Sequence, residues 1–143
     1  METTHKITPF LWFEKGGDVA ADYYCSIFKN SKIIHSNHLV TEFEINGLRL
    51  CILSGGPQFK LDESFSLSVP CDTQEEIDYY WNKFVGDGGE ESMCGWCKDK
   101  FGVSWQIVPA KLGEWMSDPK KGPQVMQAFL KMKKFDIATL EKI

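Results

Sequence analysis

Residues 94–109 read CGWCKDKFGVSWQIVP. Val103, Trp105 and Ile107 alternate with Ser104, Gln106 and Val108, a two-residue period that predicts a strand over Val103 to Val108 with one apolar and one polar side. Asp99 to Gly102 supplies turn chemistry in front of it. Cys94 and Cys97 stand behind that turn at C-x-x-C spacing. Two readings follow. If Gln106 points into a cavity, the chain is a binding scaffold; if Cys94 and Cys97 react, it is a redox protein. A dithiol of this kind is activated at a helix N-terminus, whereas a charged turn and a strand follow the pair here, so half-buried strand thiols are the simpler expectation.

The same pattern occurs earlier in the chain. Gly47-Leu48 through Ile52 matches Gly102-Val103 through Ile107, an offset of 102 − 47 = 55. Asp22-Tyr23-Tyr24, with Phe28 after it, matches Asp78-Tyr79-Tyr80, with Phe84 after it, an offset of 78 − 22 = 56. Two copies of one module explain both matches; chance similarity of two helix faces is the alternative. In the first copy, Ile7 to Phe13 reads as a strand apolar on both sides, so both faces are expected to be covered. Asp18 is the expected N-cap of a helix whose stripe is Ala20, Tyr23, Tyr24, Ile27 and Phe28, ending near Lys29 or Asn30. Ser31 to Leu39 leads into Val40 to Ile45, and Asn46-Gly47 joins that strand to Leu48 to Leu53 as a hairpin. In the second copy, Phe65, Leu67 and Val69 alternate with Ser64, Ser66 and Ser68. Thr73-Gln74-Glu75-Glu76 is a capping box ahead of the stripe Ile77, Tyr80, Trp81 and Phe84. After the break at Gly86 to Gly89, Glu90 to Lys98 is expected to be extended. Gly122-Pro123 opens a tail helix with Val125, Met126, Phe129 and Leu130 on its apolar side, and Asp136 to Lys142 reads as a last short helix.

Composition removes whole classes of function. With 143 residues, 43% apolar and 25% charged, the chain is expected to be one folded, soluble domain with a core of its own. A net charge of −4 with scattered lysines offers no basic stripe, so nucleic acid is not an expected partner. No apolar run reaches membrane-spanning length and the start METTHKITPF lacks a signal-peptide pattern, which gives the expectation of a cytoplasmic protein with no membrane contact. Five cysteines, an odd number in strand-like and helix-like surroundings, are expected to be reduced thiols.

Together TPFLWF, ADYYCSIFKNSKI, LSGGPQF, SLSVPCDTQEEIDYYW and CGWCKDKFGVSWQIVP resemble the PhnB-like, 3-demethylubiquinone-9 3-methyltransferase-like branch of the vicinal-oxygen-chelate superfamily, the glyoxalase, bleomycin-resistance and extradiol-dioxygenase group. The resemblance covers nearly the whole chain. It implies an α+β fold of two βαβββ modules, about residues 5–58 and 62–110, whose curved mixed sheets enclose a cavity, with a helical tail over 111–143 and frequently a homodimer. Two departures stand out. The insertion before the FEING hairpin is shorter than in relatives, and Cys97 and Ser54 replace the aliphatic residue and Asn that relatives carry.

Strand alternation turns Leu48, Leu50 and Ile52, and Val103, Trp105 and Ile107, under the helices. The opposite side presents Arg49, Cys51, Ser104 and Gln106, joined by Thr8, Phe10 and Trp12 and by Ser64, Ser66 and Ser68. Ligand-binding candidates are therefore Phe10, Trp12, Arg49, Cys51, Ser66, Ser68, Ser104 and Gln106. Arg49 either clamps a carboxylate or phosphonate or is a strand-edge residue that reaches solvent or pairs with a nearby Glu. Gln106 either orients a ligand or is satisfied by Ser104 or Ser66. Metal-dependent members of the superfamily hold a divalent ion with His, Glu or Gln at four positions, which align with Thr8, Cys51, Ser64 and Gln106. Two hydroxyls, a thiol and an amide are a poor donor set, so no metal and no cofactor is expected. His35 and His38 read as exposed loop residues. The expected function is small-molecule binding without metal-assisted catalysis. The alternatives are an isomerase, lyase or dioxygenase of the superfamily and a structural homodimer with a filled cavity. No adenosyl-methionine or dinucleotide motif supports the methyltransferase name.

Overall fold

The computed structural model describes residues 7–143. Met1–Lys6, and with them the expected start of the first module at residue 5, lie outside the described residues. The chain divides into two compact units, Met1–Leu61 and Asp62–Ile143.

The first unit runs β1 (Phe10–Phe13), α1 (Gly17–Ile27), β2 (Ser31–Ser36), β3 (Val40–Ile45) and β4 (Leu48–Ser54). Its open sheet has the order β1-β4-β3-β2, with β1 parallel to β4 and the other pairs antiparallel. The hairpin at Asn46-Gly47 forms as expected, with both residues at positive φ, which the primed turn joining β3 to β4 requires. Tyr24 of α1 stacks on Phe43 of β3 at 6.0 Å and 17°, and Leu11, Leu50 and Ile52 complete the core beneath the helix.

Three expectations need correction here. Gly16, not Asp18, caps α1. Its φ of 74° is a backbone state open to glycine, and Asp18 falls inside the first turn, where a carboxylate suits the helix dipole. The helix stops at Ile27, because Phe28 turns to an extended conformation and buries its ring. The first strand is shorter than Ile7 to Phe13 and covered on one side only: Leu11 and Phe13 are buried while Phe10 is 57% exposed.

The second unit repeats the order with β5 (Ser66–Cys71), α2 (Gln74–Gly86), β6 (Glu90–Glu91), β7 (Trp96–Lys98) and β8 (Ser104–Pro109), arranged β5-β8-β7-β6. Again the first strand of the unit lies parallel to the last, and the other pairs are antiparallel. Thr73 caps α2, its hydroxyl accepting from Glu76 N at 3.2 Å, while Glu76 Oε1 accepts from Asp72 N at 3.1 Å. The box therefore closes one residue earlier than the motif implies. Ile77, Trp81 and Phe84 are buried, and Phe84 stacks on Trp105 at 4.5 Å.

Glu90 to Lys98 is not one extended run. A turn at residues 92–95 separates β6 from β7, with Cys94 at φ 61° and Gly95 at φ 81°. Gly95 is required for space as well, since a Cβ there would sit 2.5 Å from the Phe135 ring. The Asp99 to Gly102 turn forms, but β8 starts at Ser104 rather than Val103 because Val103 N still donates to the Asp99 side chain.

The tail holds α3 (Leu112–Ser117), which the sequence pattern did not reveal, α4 (Gly122–Phe129) and α5 (Ile137–Glu141). On α4 only part of the expected stripe is covered: Val125 is buried, Met126 and Leu130 are exposed. The tail is fastened to its own unit by Phe135. That ring is buried, its carbonyl accepts from Gln74 Nε2 at 2.9 Å, and Gln74 Oε1 accepts from Ile137 N at 2.9 Å.

Candidate functional site

Each unit has one sheet face under its helix and one open face, and register decides which side chains the open face carries. In the first unit Phe10 pairs with Cys51 and Cys51 with Glu42, while Trp12 pairs with Leu53 and Arg49 with Glu44. Residues that are partners across neighbouring strands point to one side. Phe10, Trp12, Arg49, Cys51, Glu42 and Glu44 therefore share the open face, opposite Leu50, Ile52 and Phe43.

Trp12 is held by the loop after β4. Its indole N–H donates to Gly56 O at 2.9 Å, and its ring meets Phe59 edge-on at 4.9 Å. Gly55 makes this possible, since a Cβ there would lie 2.6 Å from the indole. Arg49 pairs with a Glu, one of the roles expected for it: Nε lies 3.5 Å from Glu42 Oε2, without the alignment of a hydrogen bond. Its charge is already answered within the face. Cys51 is buried, and burial first, then the Glu42 carboxylate, raise its thiol pKa above the ordinary 9.0.

In the second unit two rungs cross the open face. One runs Ser66, Ser104, Lys98 and Glu90; the other runs Ser68, Gln106 and Trp96. Gln106 Nε2 donates to Ser66 Oγ at 2.9 Å, so that amide is satisfied by a neighbouring serine, the second of its two readings. Lys98 Nζ lies 3.1 Å from Glu63 Oε1. Ser104 is 2% exposed, yet its hydroxyl has no hydrogen-bond partner among the described residues. A cleft of about 140 Å³ opens above it, walled by Glu63, Glu90, Ser92, Trp96 and Lys98. Ser68 is exposed on the same side.

Trp96, Lys98, Glu90 and Glu63 were not among the candidates taken from sequence. Extending the Ser104/Gln106 alternation across the Asp99 turn would have found Trp96 and Lys98. Nothing in the letters brings Glu63 to Lys98.

The four positions aligned with the family's metal ligands do not fit a divalent ion. Thr8 offers a neutral hydroxyl, and burial raises the Cys51 thiol pKa, which disfavours the thiolate that would bind an ion. Ser64 Oγ donates to Asp62 Oδ1 at 2.5 Å, and the Gln106 amide is engaged by Ser66. A divalent ion of the family's kind is held by His, Glu or Gln, and of these four positions only Gln106 supplies one of them, its amide already engaged.

The C-x-x-C pair lacks the helix N-terminus that activates such dithiols. Cys97 is buried, and burial, with Asp99 adding to it, pushes its pKa up to about 12. Thiolate, the reactive form, is thereby suppressed. Cys94 lies in the turn with its sulfur 3.8 Å from Leu130 O. All five thiols are free. His35 and His38 are exposed, but His35 belongs to β2 rather than to a loop.

The glycine pairs do not build a phosphate or nucleoside cradle. Gly55-Gly56 leads to β5 and Gly86 to Gly89 leads to β6, with no helix behind either. Gly16-Gly17 does open α1, but the Gly17 amide donates to Ser54 Oγ at 3.1 Å. Among the described residues no helix is long and apolar enough to cross a membrane.

A family model described as 3-demethylubiquinone-9 3-methyltransferase matches residues 5–108. A structure of a putative 3-demethylubiquinone-9 3-methyltransferase, a PhnB protein from Bacillus cereus, is 30% identical, with a TM-score of 0.66 over 74% of this chain and 100% of that one. The fosfomycin resistance protein FosX from Listeria monocytogenes, solved with Mn(II) and sulfate, is 19% identical, with a TM-score of 0.60 over 79% and 95%. A glyoxalase-related enzyme from Fulvimarina pelagi is 15% identical, with a TM-score of 0.51 over 72% and 87%. A search of curated proteins found no match. The chain belongs to the 3-demethylubiquinone-9 3-methyltransferase, PhnB-like family, and its α+β architecture of two βαβββ units is the glyoxalase/bleomycin-resistance fold.

Proposed function

We propose that this chain binds a small organic molecule on the open faces of its sheets and does so without metal-assisted catalysis. One observation carries the reading: the buried Ser104 hydroxyl, unpartnered at the floor of a cleft. A buried hydroxyl with no partner costs roughly 1–3 kcal/mol, and a ligand that bonds to it recovers part of that cost. The half-buried Trp96 beside it offers an aromatic wall, and Phe10 and Trp12 offer another on the first unit. Sites of this type combine apolar walls with a few polar groups that fix orientation. Methyl transfer, which the family description names, finds no support in the glycine segments.

A screen of fragment-sized compounds by thermal shift and by two-dimensional NMR tests the reading. Binders are expected to move the Trp96 and Ser104 resonances. A broad library that moves neither would overturn it and favour a structural protein. A homodimer belongs to the same reading, supported by exposed Ile7, Phe10 and Phe59 around β1; sedimentation of the full chain tests it. A cytoplasmic setting is supported by the five unpaired thiols.

A further inference from the structure

We infer that the cleft of the second unit selects organic cations, meaning a protonated amine carried on an aromatic or apolar body. This rests on the small-molecule reading above and adds the ligand class to it.

The argument is a count of charge along the cleft wall. Among the described residues Lys98 is its one cation, and Glu63 already answers it at 3.1 Å. Glu91 is answered by Lys133 at 3.0 Å. Glu90 stands in the same rung as Lys98 and Ser104 and has no ion pair among the described residues. The wall therefore carries one uncompensated negative charge at its rim. Ser104 supplies an acceptor at its floor, and Trp96 adds a π-face that attracts cations. An anion entering the cleft would meet Glu90 and Glu63 and find Lys98 engaged. A neutral ligand would gain the Trp96 and Ser104 contacts alone.

Three probes of nearly equal shape separate these cases: 2-phenylethylamine, 2-phenylethanol and 3-phenylpropionate. Each is titrated into the full chain while the Trp96 indole N–H signal, assigned with Trp96→Phe, is followed by NMR. The amine is expected to shift that signal and to bind about five- to tenfold more tightly than the alcohol. That ratio is the size of one unit charge pair at about 4 Å in a largely solvated rim. Its affinity should fall as sodium chloride is raised, and the propionate should bind weakest. Glu90→Gln, an exposed change that leaves the fold in place, should bring the amine down to the alcohol's affinity without altering the alcohol's. Equal binding of the three probes, tightest binding of the propionate, or an amine preference that survives Glu90→Gln each overturns cation selectivity. Silence of the Trp96 signal to all three also overturns it. The fragment screen separately decides whether the chain binds small molecules at all.

Discussion

Replacing Asp99 by Asn changes one atom and should cost about 2–4 kcal/mol. The carboxylate is 3% exposed. Its Oδ1 accepts from Phe101 N at 2.8 Å and from Val103 N at 3.1 Å, and its Oδ2 accepts from Trp105 Nε1 at 2.9 Å. All three partners are donors. An Asn side chain keeps one acceptor oxygen and gains an NH₂, so if the oxygen serves the two backbone amides, the NH₂ faces the indole N–H. Two buried donors are then unpaired, roughly 1–3 kcal/mol for the loss, and the surviving bonds drop from charge-assisted to neutral strength. Removing a buried charge offsets part of this. Asp99→Ala frees all three donors and leaves a hole, about 3–5 kcal/mol. Urea unfolding followed by far-UV circular dichroism at pH 7 measures both, and Trp105→Phe completes a cycle. Phe has no N–H, so Asp99→Asn should cost at least about 1 kcal/mol less when Trp105→Phe is already in place. An Asn variant within about 0.5 kcal/mol of the parent, or strict additivity in the cycle, would refute the donor-clash reasoning.

Other consequences are as direct. Gly95→Ala should destabilise by more than about 2 kcal/mol, because φ is 81° and the new Cβ would press on Phe135 at 2.5 Å and on Ile107 O at 2.7 Å; thermal unfolding of the variant checks it. Cys71 and Cys97 are both raised from 9.0 to about 12 by burial. Above pH 9 the unfolded chain loses thiol protons that the folded chain keeps, so stability is full below pH 9 and falls by about 1.4 kcal/mol per thiol per pH unit as pH rises toward 12. Between pH 8 and 10 the unfolded thiols are still titrating, so the fall there is about 1.4 kcal/mol per thiol in all; urea unfolding should show it, and Cys97→Ala should remove one thiol's share. With the protein folded at pH 8, an aromatic disulfide reagent should leave Cys71 and Cys97 unlabelled, read by mass spectrometry; fast labelling of Cys97 would restore the redox reading. Thr73→Ala should cost about 1 kcal/mol through loss of the α2 cap, measured by the same urea titration.

The fold was legible because each unit announces itself at two ranges. Asn46-Gly47 and the Asp99 to Gly102 turn fix hairpins locally, and Leu50/Ile52 and Trp105/Ile107 mark which faces are buried. Where expectation failed, backbone conformation outweighed side-chain preference. Asp18 is the better capping residue, but Gly16 alone could adopt φ 74° at the strand-to-helix corner. Glu90 to Lys98 reads as extended, but Phe135 arrives from the tail and needs the space that a turn at Gly95 creates. The open faces were half legible. Parity named Ser104, Gln106, Cys51 and Arg49 and offered Ser66 as a partner for Gln106, but it did not say which Glu would meet Arg49, and it brought neither Lys98 nor Glu63 to the face: Glu42 lies beside Arg49 and Glu63 against Lys98. Sequence alternation gives a side chain's direction and not what it meets.

Fold and candidate site are in this respect one decision. Asp99 fixes the backbone at Phe101 and Val103 and anchors the Trp105 indole, which pins β8 in register against β7. Side chains in a strand alternate, so seating Trp105 under α2 against Phe84 necessarily turns Ser104 and Gln106 to the other face. A slip of one residue would exchange them, placing an indole over the cleft and a hydroxyl in the core. The unpartnered Ser104 hydroxyl is thus held in place by a buried carboxylate that accepts three hydrogen bonds. A group kept buried and unsatisfied by such rigid surroundings does not relax to find a partner within the chain, and that is the physical ground for expecting its partner to be a ligand.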